Sequence, residues 1–178
     1  LHLSLRRQRQ MCIRDRVNMG TYGIAQVCPN GHVPTSAANE NAERREKFCR
    51  RCGEATITHC PMCDHFIRGR YKTPGVVMVG VTYEPPAFCH NCGNPFPWTE
   101  RKIASAVELV EVGAELSAEE LQQFHSDLVE LTKDSPKVQV ASFRFKKVMG
   151  RVGTTIASGV RDIVVDVLSE AAKKAIWS

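Results

Sequence analysis

No stretch of this chain is apolar enough to cross a bilayer. A spanning helix needs roughly 18 to 20 consecutive apolar residues, and even residues 160–168 are interrupted by Arg161, Asp162 and Asp166. No apolar run follows the arginines near the start either, so an export signal is not expected. The chain has no glycine-rich phosphate loop, and no nucleophile, base and acid stand out as a set, so no familiar enzyme class is indicated. Cysteine is missing after Cys92, so residues 93–178 have none. Net charge is also scarce once residues 1–16 are set aside. They hold five of the 24 Lys+Arg and one of the 19 Asp+Glu, which leaves 19 against 18. Overall charge therefore offers no argument for nucleic acid.

The opening LHLSLRRQRQMCIRDR is unlike the rest of the chain. Residues 11–15 read as a translated sequencing adapter, which puts the start at Met19; a disordered basic arm is the other reading. Residues 1–18 are accordingly treated as a non-native or disordered leader, and Cys12 is set aside with them. Seven cysteines remain, and each has a second candidate ligand close by. The pairs are Cys28 with His32, Cys49 with Cys52, Cys60 with Cys63, and Cys89 with Cys92. With no export signal the expected compartment is the cytoplasm, where disulfides are rare and paired cysteines signify metal or redox work. Three C-x-x-C pairs without a βαβ pattern favour metal.

Two cysteines two residues apart sit at the ends of a tight turn that points backbone N–H groups at the sulfurs. Gly31, Gly53 and Gly93 are placed to supply the positive φ such turns need. Structural zinc takes four ligands in a closed tetrahedron, so eight ligands imply two Zn2+ ions. Sequential pairing would join Cys28, His32, Cys49 and Cys52, then Cys60, Cys63, Cys89 and Cys92, as a double zinc ribbon. An interleaved cross-brace would join the first pair to the third. The short strands and loops favour the sequential form. Without His32 the first site would have three cysteines and an open position, a catalytic geometry. His59, His65 and His90 neighbour ligands and suit supporting or exposed roles, and His125 suits plain surface.

The fold expected is α+β: a leader over 1–18, a double zinc-ribbon domain over 19–98 and an α-helical region over 99–178. Short strands are expected at 22–27, 55–58 and 76–83, with a loop or short helix over 34–47. A helix over about 100–112 should be capped by Thr99, with the prolines of P-F-P-W-T ending the ribbon style of chain. A second helix should begin at Ser117, where Ser117 and Glu120 have capping-box spacing, and end near Lys133. After Ser135-Pro136 a long helical tract runs to about Ile176, broken near Gly150 and Gly153.

The runs A-Q-V-C-P-N-G-H, F-C-R-R-C-G, C-P-M-C and F-C-H-N-C-G-N-P-F-P-W-T resemble a bacterial zinc-ribbon family, domain of unknown function 2321 (DUF2321). The resemblance extends from Met19 to the C-terminus and includes R-F-K-K and R-D-I-V-V-D in the tail. All four ligand pairs match the family pattern. The family implies zinc-ribbon knuckles and no particular activity.

With no spare ligand for chemistry, the expected role is non-enzymatic docking onto a protein partner through loops and exposed aromatics such as Phe66, Tyr71 and Phe96. Arg50, Arg51 and the run R-G-R-Y-K (68–72) set charge beside aromatics, so a nucleic-acid-binding ribbon is one alternative. The tail offers another. Residues 99–135 carry a net charge of −6 and residues 136–178 a net +5. Phe145, Val148, Val152, Ile156, Val160, Ile163, Val167 and Ala171 recur at helical spacing. That stripe can pack on Ile103, Val107, Leu121 and Leu128. It can also face a membrane surface or, through Gly153, Ala157 and Gly159, a second copy of the chain.

Overall fold

In the computed structural model, which describes residues 20–76 and 80–177, β1 (Thr21–Ile24) pairs antiparallel with β2 (Arg68–Lys72). Thr21 lies opposite Lys72 and Tyr22 opposite Tyr71, and the register slips before Ile24. The slip falls at Gly23, and a glycine is required there. A Cβ on Gly23 would stand 2.8 Å from the Ser36 carbonyl oxygen, and one on Gly69 would collide with the same oxygen. β2 was not expected from its charge-rich sequence; cross-strand pairing rather than apolar alternation makes it a strand. The expected strand at 22–27 is realised as β1 followed by single bridges at Gln26 and Val27, and that at 55–58 as bridges at Ala55 and Ile57. Of the expected 76–83 strand, residues 77–79 lie outside the described residues, as does the 1–18 leader. Its remaining residues are not in a strand. They are tied to β2 by side chains instead: the Arg70 guanidinium donates to the Val81 carbonyl, and the Tyr83 hydroxyl donates to the Arg68 carbonyl. Burial pushes the Tyr83 hydroxyl up to about 12. The polar stretch 34–47 contains one short 3₁₀ turn, Ala42–Arg44.

Contacts divide the chain into two units. One holds the described residues up to Cys28 together with His32–Pro85, and the other holds Pro29–Gly31 and the described residues from Pro86 onward. The first is the strand-and-knuckle unit, holding both strands and the knuckles up to Cys63, while the Cys89–Cys92 knuckle falls in the second. The second carries five helices: α1 (Pro97–Gly113), α2 (Ala118–Leu131), α3 (Val138–Met149), α4 (Thr154–Val164) and α5 (Glu170–Trp177). The class is therefore α+β, a small cysteine-bearing β region followed by helices.

The first helix corrects the expected cap. It begins at Pro97 with Phe96 as N-cap, two residues before Thr99. Proline lacks the N–H that a first-turn residue leaves unpaired, so it starts this helix rather than ending the previous segment. Thr99 is buried, and its hydroxyl donates to the Ala87 carbonyl at 2.8 Å. The Ser117 box forms as expected: Ser117 Oγ accepts from Glu120 N at 3.3 Å, and Glu120 Oε2 accepts from Ser117 N at 3.0 Å. Ser117→Ala should destabilise the helical unit by about 1 kcal/mol, measured as a lower urea midpoint; no change would mean that the box is energetically silent.

The tail breaks at Gly150–Gly153 as expected and again at residues 165–169, which was not. A local signal marks the second break: Ser169 Oγ accepts from Ala172 N at 3.1 Å, an N-cap in S-E-A-A. The extra break folds the tail back on itself. α1 packs on α4 and α2, α2 on α3, and α3 on α5. Phe124 stacks on Phe145 with centroids 5.8 Å apart, and Ile103, Ala106, Val110, Leu128, Val160, Val164 and Ala172 are all buried. Gly159 sits where a Cβ would meet Leu109 at 2.9 Å, so this glycine serves α1–α4 packing within the chain. Among the described residues, no helix is long and apolar enough to cross a membrane.

Candidate metal centres

Three of the four ligand pairs share one local geometry. In each C-x-x-C knuckle the first cysteine's N–H donates to the carbonyl five residues on: Cys49 to Glu54 at 2.8 Å, Cys60 to His65 at 2.8 Å, Cys89 to Asn94 at 2.9 Å. Its own carbonyl accepts from the N–H four residues on, from Gly53, Asp64 and Gly93. One isolated bridge closes each knuckle: Phe48 with Ala55, His59 with Phe66, Phe88 with Pro95. The first pair is one residue longer and closes through Cys28 N to His32 O at 3.0 Å, under a bridge from Gln26 to Thr35.

A reversal this tight needs a left-handed residue after the second cysteine. Gly53 (φ 76) and Gly93 (φ 72) occupy that slot, and Gly31 (φ 84) serves the first pair. In the third knuckle the slot holds Asp64 at φ 54, the one non-glycine residue with positive φ among those described. A search of the sequence for glycines passes over Asp64, whereas aligning the three knuckles finds it. A short polar side chain tolerates this conformation at some cost. Asp64→Gly should therefore be neutral to stabilising by up to about 1 kcal/mol, whereas Asp64→Val should destabilise. Thermal melts of the metal-loaded protein would decide, and a Val variant as stable as the parent would sink the account.

The ligand atoms gather into two sequential groups, not an interleaved brace. Cys28, His32, Cys49 and Cys52 form one, Cys60, Cys63, Cys89 and Cys92 the other, and within each all four ligand atoms lie within 4.8 Å of one another. Cys28 Sγ is 3.6 Å from Cys52 Sγ, and Cys49 Sγ is 3.6 Å from His32 Nδ1. A tetrahedral ion with bonds of about 2.3 Å to sulfur and 2.0–2.1 Å to nitrogen has S···S edges of about 3.8 Å and S···N edges of about 3.6 Å. The spacing fits such an ion and is far too long for a disulfide bond of about 2.05 Å. Both groups can hold a metal, and their chemistry is compatible with zinc. His59, His65, His90 and His125 belong to neither group.

Supporting residues emerge that the sequence did not announce. Buried Gln26 joins the approaches to the first two knuckles: its Nε2 donates to the Glu46 carbonyl at 2.9 Å and to Thr56 Oγ1 at 2.7 Å, while its Oε1 accepts from Glu46 N at 3.0 Å. Val27 and Ile57 exchange backbone bonds between the same segments. Around the other group, Asn94 Nδ2 donates to Cys92 Sγ at 3.4 Å, and Asn91 N donates to Cys89 Sγ at 3.5 Å. Such N–H···S bonds stabilise thiolate charge and orient the sulfurs. Arg50 pairs with Glu46 and holds its carboxyl below the usual range.

Four short knuckles that deliver eight ligands to two four-ligand groups, with helices in the remainder, define a two-centre cysteine-knuckle protein. The chain belongs to the family described as "Uncharacterized protein conserved in bacteria (DUF2321)", whose model matches residues 21–176. No curated protein and no solved structure matches it.

Proposed function

We propose that both groups bind zinc as closed structural sites and that the stiffened knuckles dock onto a protein partner in the cytoplasm, where the thiolates stay reduced. Four thiolate or imidazole ligands at tetrahedral spacing suit zinc and leave no ligand position for substrate. The observation that carries the docking reading is the exposure of large apolar side chains on the knuckles. Phe48, immediately before Cys49, is 56% exposed, and Met62, between Cys60 and Cys63, is 68% exposed. Anchors held on rigid turns lose little entropy on binding. The surface differs from the one expected. Phe96 is 1% exposed and stacks on Trp98, so it is a core residue, and Phe66 is half-buried, while Tyr71 remains exposed.

Nucleic-acid binding has one observation in its favour, the exposed Tyr22–Tyr71 ring pair with the Arg68 guanidinium 4.9 Å from the Tyr22 centroid. Against it, the nearby cations are engaged internally: Arg70 with the Val81 carbonyl, Lys72 with Glu40, Arg50 with Glu46, Arg45 with the Ala38 carbonyl. Cations already satisfied hold phosphates poorly.

The test is affinity capture in a bacterium that encodes the chain, using the zinc-loaded protein and its Phe48→Ala/Met62→Ala variant. A partner identified by mass spectrometry, crosslinked to the knuckles, and lost by a variant that still holds two zincs supports docking. Retention by the variant sinks this surface. Binding of RNA or DNA by protein lacking residues 1–18, falling steeply with salt, would favour the alternative.

A further inference from the structure

Two stripes on the helical unit set like charges around exposed apolar side chains. On α3, Val140 and Phe143 are exposed, Phe143 by 72%, on the face away from buried Val138, Ala141 and Phe145. Lys137 and Lys147 frame them at helical spacing, and Arg144 stands between, 3.4 Å from Asp127. On α1, Glu100, Glu108 and Glu111 line one face that ends at Val112, which is 82% exposed; the one cation on that arc, Arg101, donates to Asn30 Oδ1 at 2.8 Å. Elsewhere on the unit some opposite charges meet within the chain, Lys102 with Asp166 and Arg151 with Glu120. Glu108 and Glu111 are three residues apart, as are Arg144 and Lys147, so each stripe sets like charges side by side on a helix.

We propose that the acidic α1 stripe of one copy of this chain docks on the basic α3 stripe of the next, Val112 and Phe143 supplying the apolar centre. Each stripe has what the other lacks: carboxylates around an exposed aliphatic on one side, cations around an exposed aromatic on the other. A single contact would cover both. An anionic membrane would satisfy only α3, and it would repel the acidic stripe on the same unit. The contact joins two different surfaces, so it is heterologous and each copy keeps one stripe open. Assembly then grows as chains, or as rings if the rotation closes.

Sedimentation velocity of the zinc-loaded full chain tests this. The parent should associate in a concentration-dependent way, with an apparent dissociation constant rising at least about tenfold between roughly 50 and 500 mM salt. Glu108→Lys/Glu111→Lys makes both stripes basic, and Lys137→Glu/Lys147→Glu makes both acidic. Each double variant alone should be monomeric, and an equimolar mixture of the two should associate again. The substituted side chains are exposed, and far-UV circular dichroism checks that both variants fold. A monomeric parent at low salt, parent-like assembly by either variant, or a mixture that stays monomeric would each overturn the proposal. So would a monomeric parent that floats with phosphatidylserine vesicles, which would assign the α3 stripe to lipid.

Discussion

Replacing His32 by alanine should leave the protein with one firmly bound zinc instead of two. Structural zinc sites contribute about 10–16 kcal/mol of folding free energy near neutral pH, comparable with the whole stability of a typical domain, about 5–15 kcal/mol. The strand-and-knuckle unit has little to replace it. Its sheet has two short strands, and each knuckle is closed by a single bridge. Its buried apolar residues are few, chiefly Ala25, Val27, Ala38 and Ile67. Losing the imidazole from a Cys₃His set opens one corner of the tetrahedron and removes one of the two side chains through which the Cys28–His32 turn holds the ion. Native mass spectrometry should count two zincs in the parent and one, or one tight and one labile, in His32→Ala. Chelator should strip the variant's first site well before the parent's, with the Val27–Ile57 amides losing exchange protection in step. Because every ligand must be deprotonated to bind, mild acid should release the metal from both proteins and from the variant at higher pH. Two zincs held equally tightly by the variant would show that His32 is not a ligand. The first centre would then have an open position, and a hydrolytic or Lewis-acid role would have to be reconsidered.

Trp98→Ala should cost the helical unit about 3–5 kcal/mol, the range for truncating a large aromatic in a packed core. Trp98 is 1% exposed and lies in the first turn of α1. It stacks on Phe96 with centroids 4.5 Å apart, and its indole Nε1 donates to the Pro86 carbonyl at 3.0 Å. Gly31 packs so closely that a side chain there would begin 3.3 Å from the Trp98 Cβ. Alanine therefore leaves a cavity and takes the indole donor away from the part-buried Pro86 carbonyl. Trp98→Phe separates the two effects, keeping most of the packing and losing the donated bond, with an expected loss of about 1–3 kcal/mol. Denaturant titration followed by far-UV circular dichroism reads both. A loss below about 1 kcal/mol for the alanine variant would mean that the site collapses freely and that α1 does not depend on this anchor.

The candidate metal ligands could be read from the sequence because knuckle chemistry is local. Two ligands, a tight turn and a residue of positive φ fall within six positions, so spacing alone identifies them. The capping box at Ser117 was legible for the same reason: donor and acceptor are three residues apart. Asp64 obeys the same local rule but escapes a reading that requires glycine in its slot. Features that depend on distant partners could not be read this way. β2 is a strand because Tyr71 and Lys72 find cross-strand neighbours, Tyr22 and Thr21, about fifty residues away in sequence. Phe96 looked like an exposed docking aromatic in a proline-rich stretch, yet it is buried, because Pro97 starts a helix that stacks Phe96 against Trp98. Gly159 looked available for contact with another copy, but Leu109 fills the space above it.

By itself, then, the sequence determined the eight candidate ligands and most helix positions, each written in residues close along the chain. Only the tertiary structure decided that the ligand pairs combine sequentially, that the tail folds back at residues 165–169 to seal Val160 and Ala172, and which apolar side chains stay outside. Those outcomes depend on which distant surfaces meet, and burial is a property of the assembled core that no window of sequence contains.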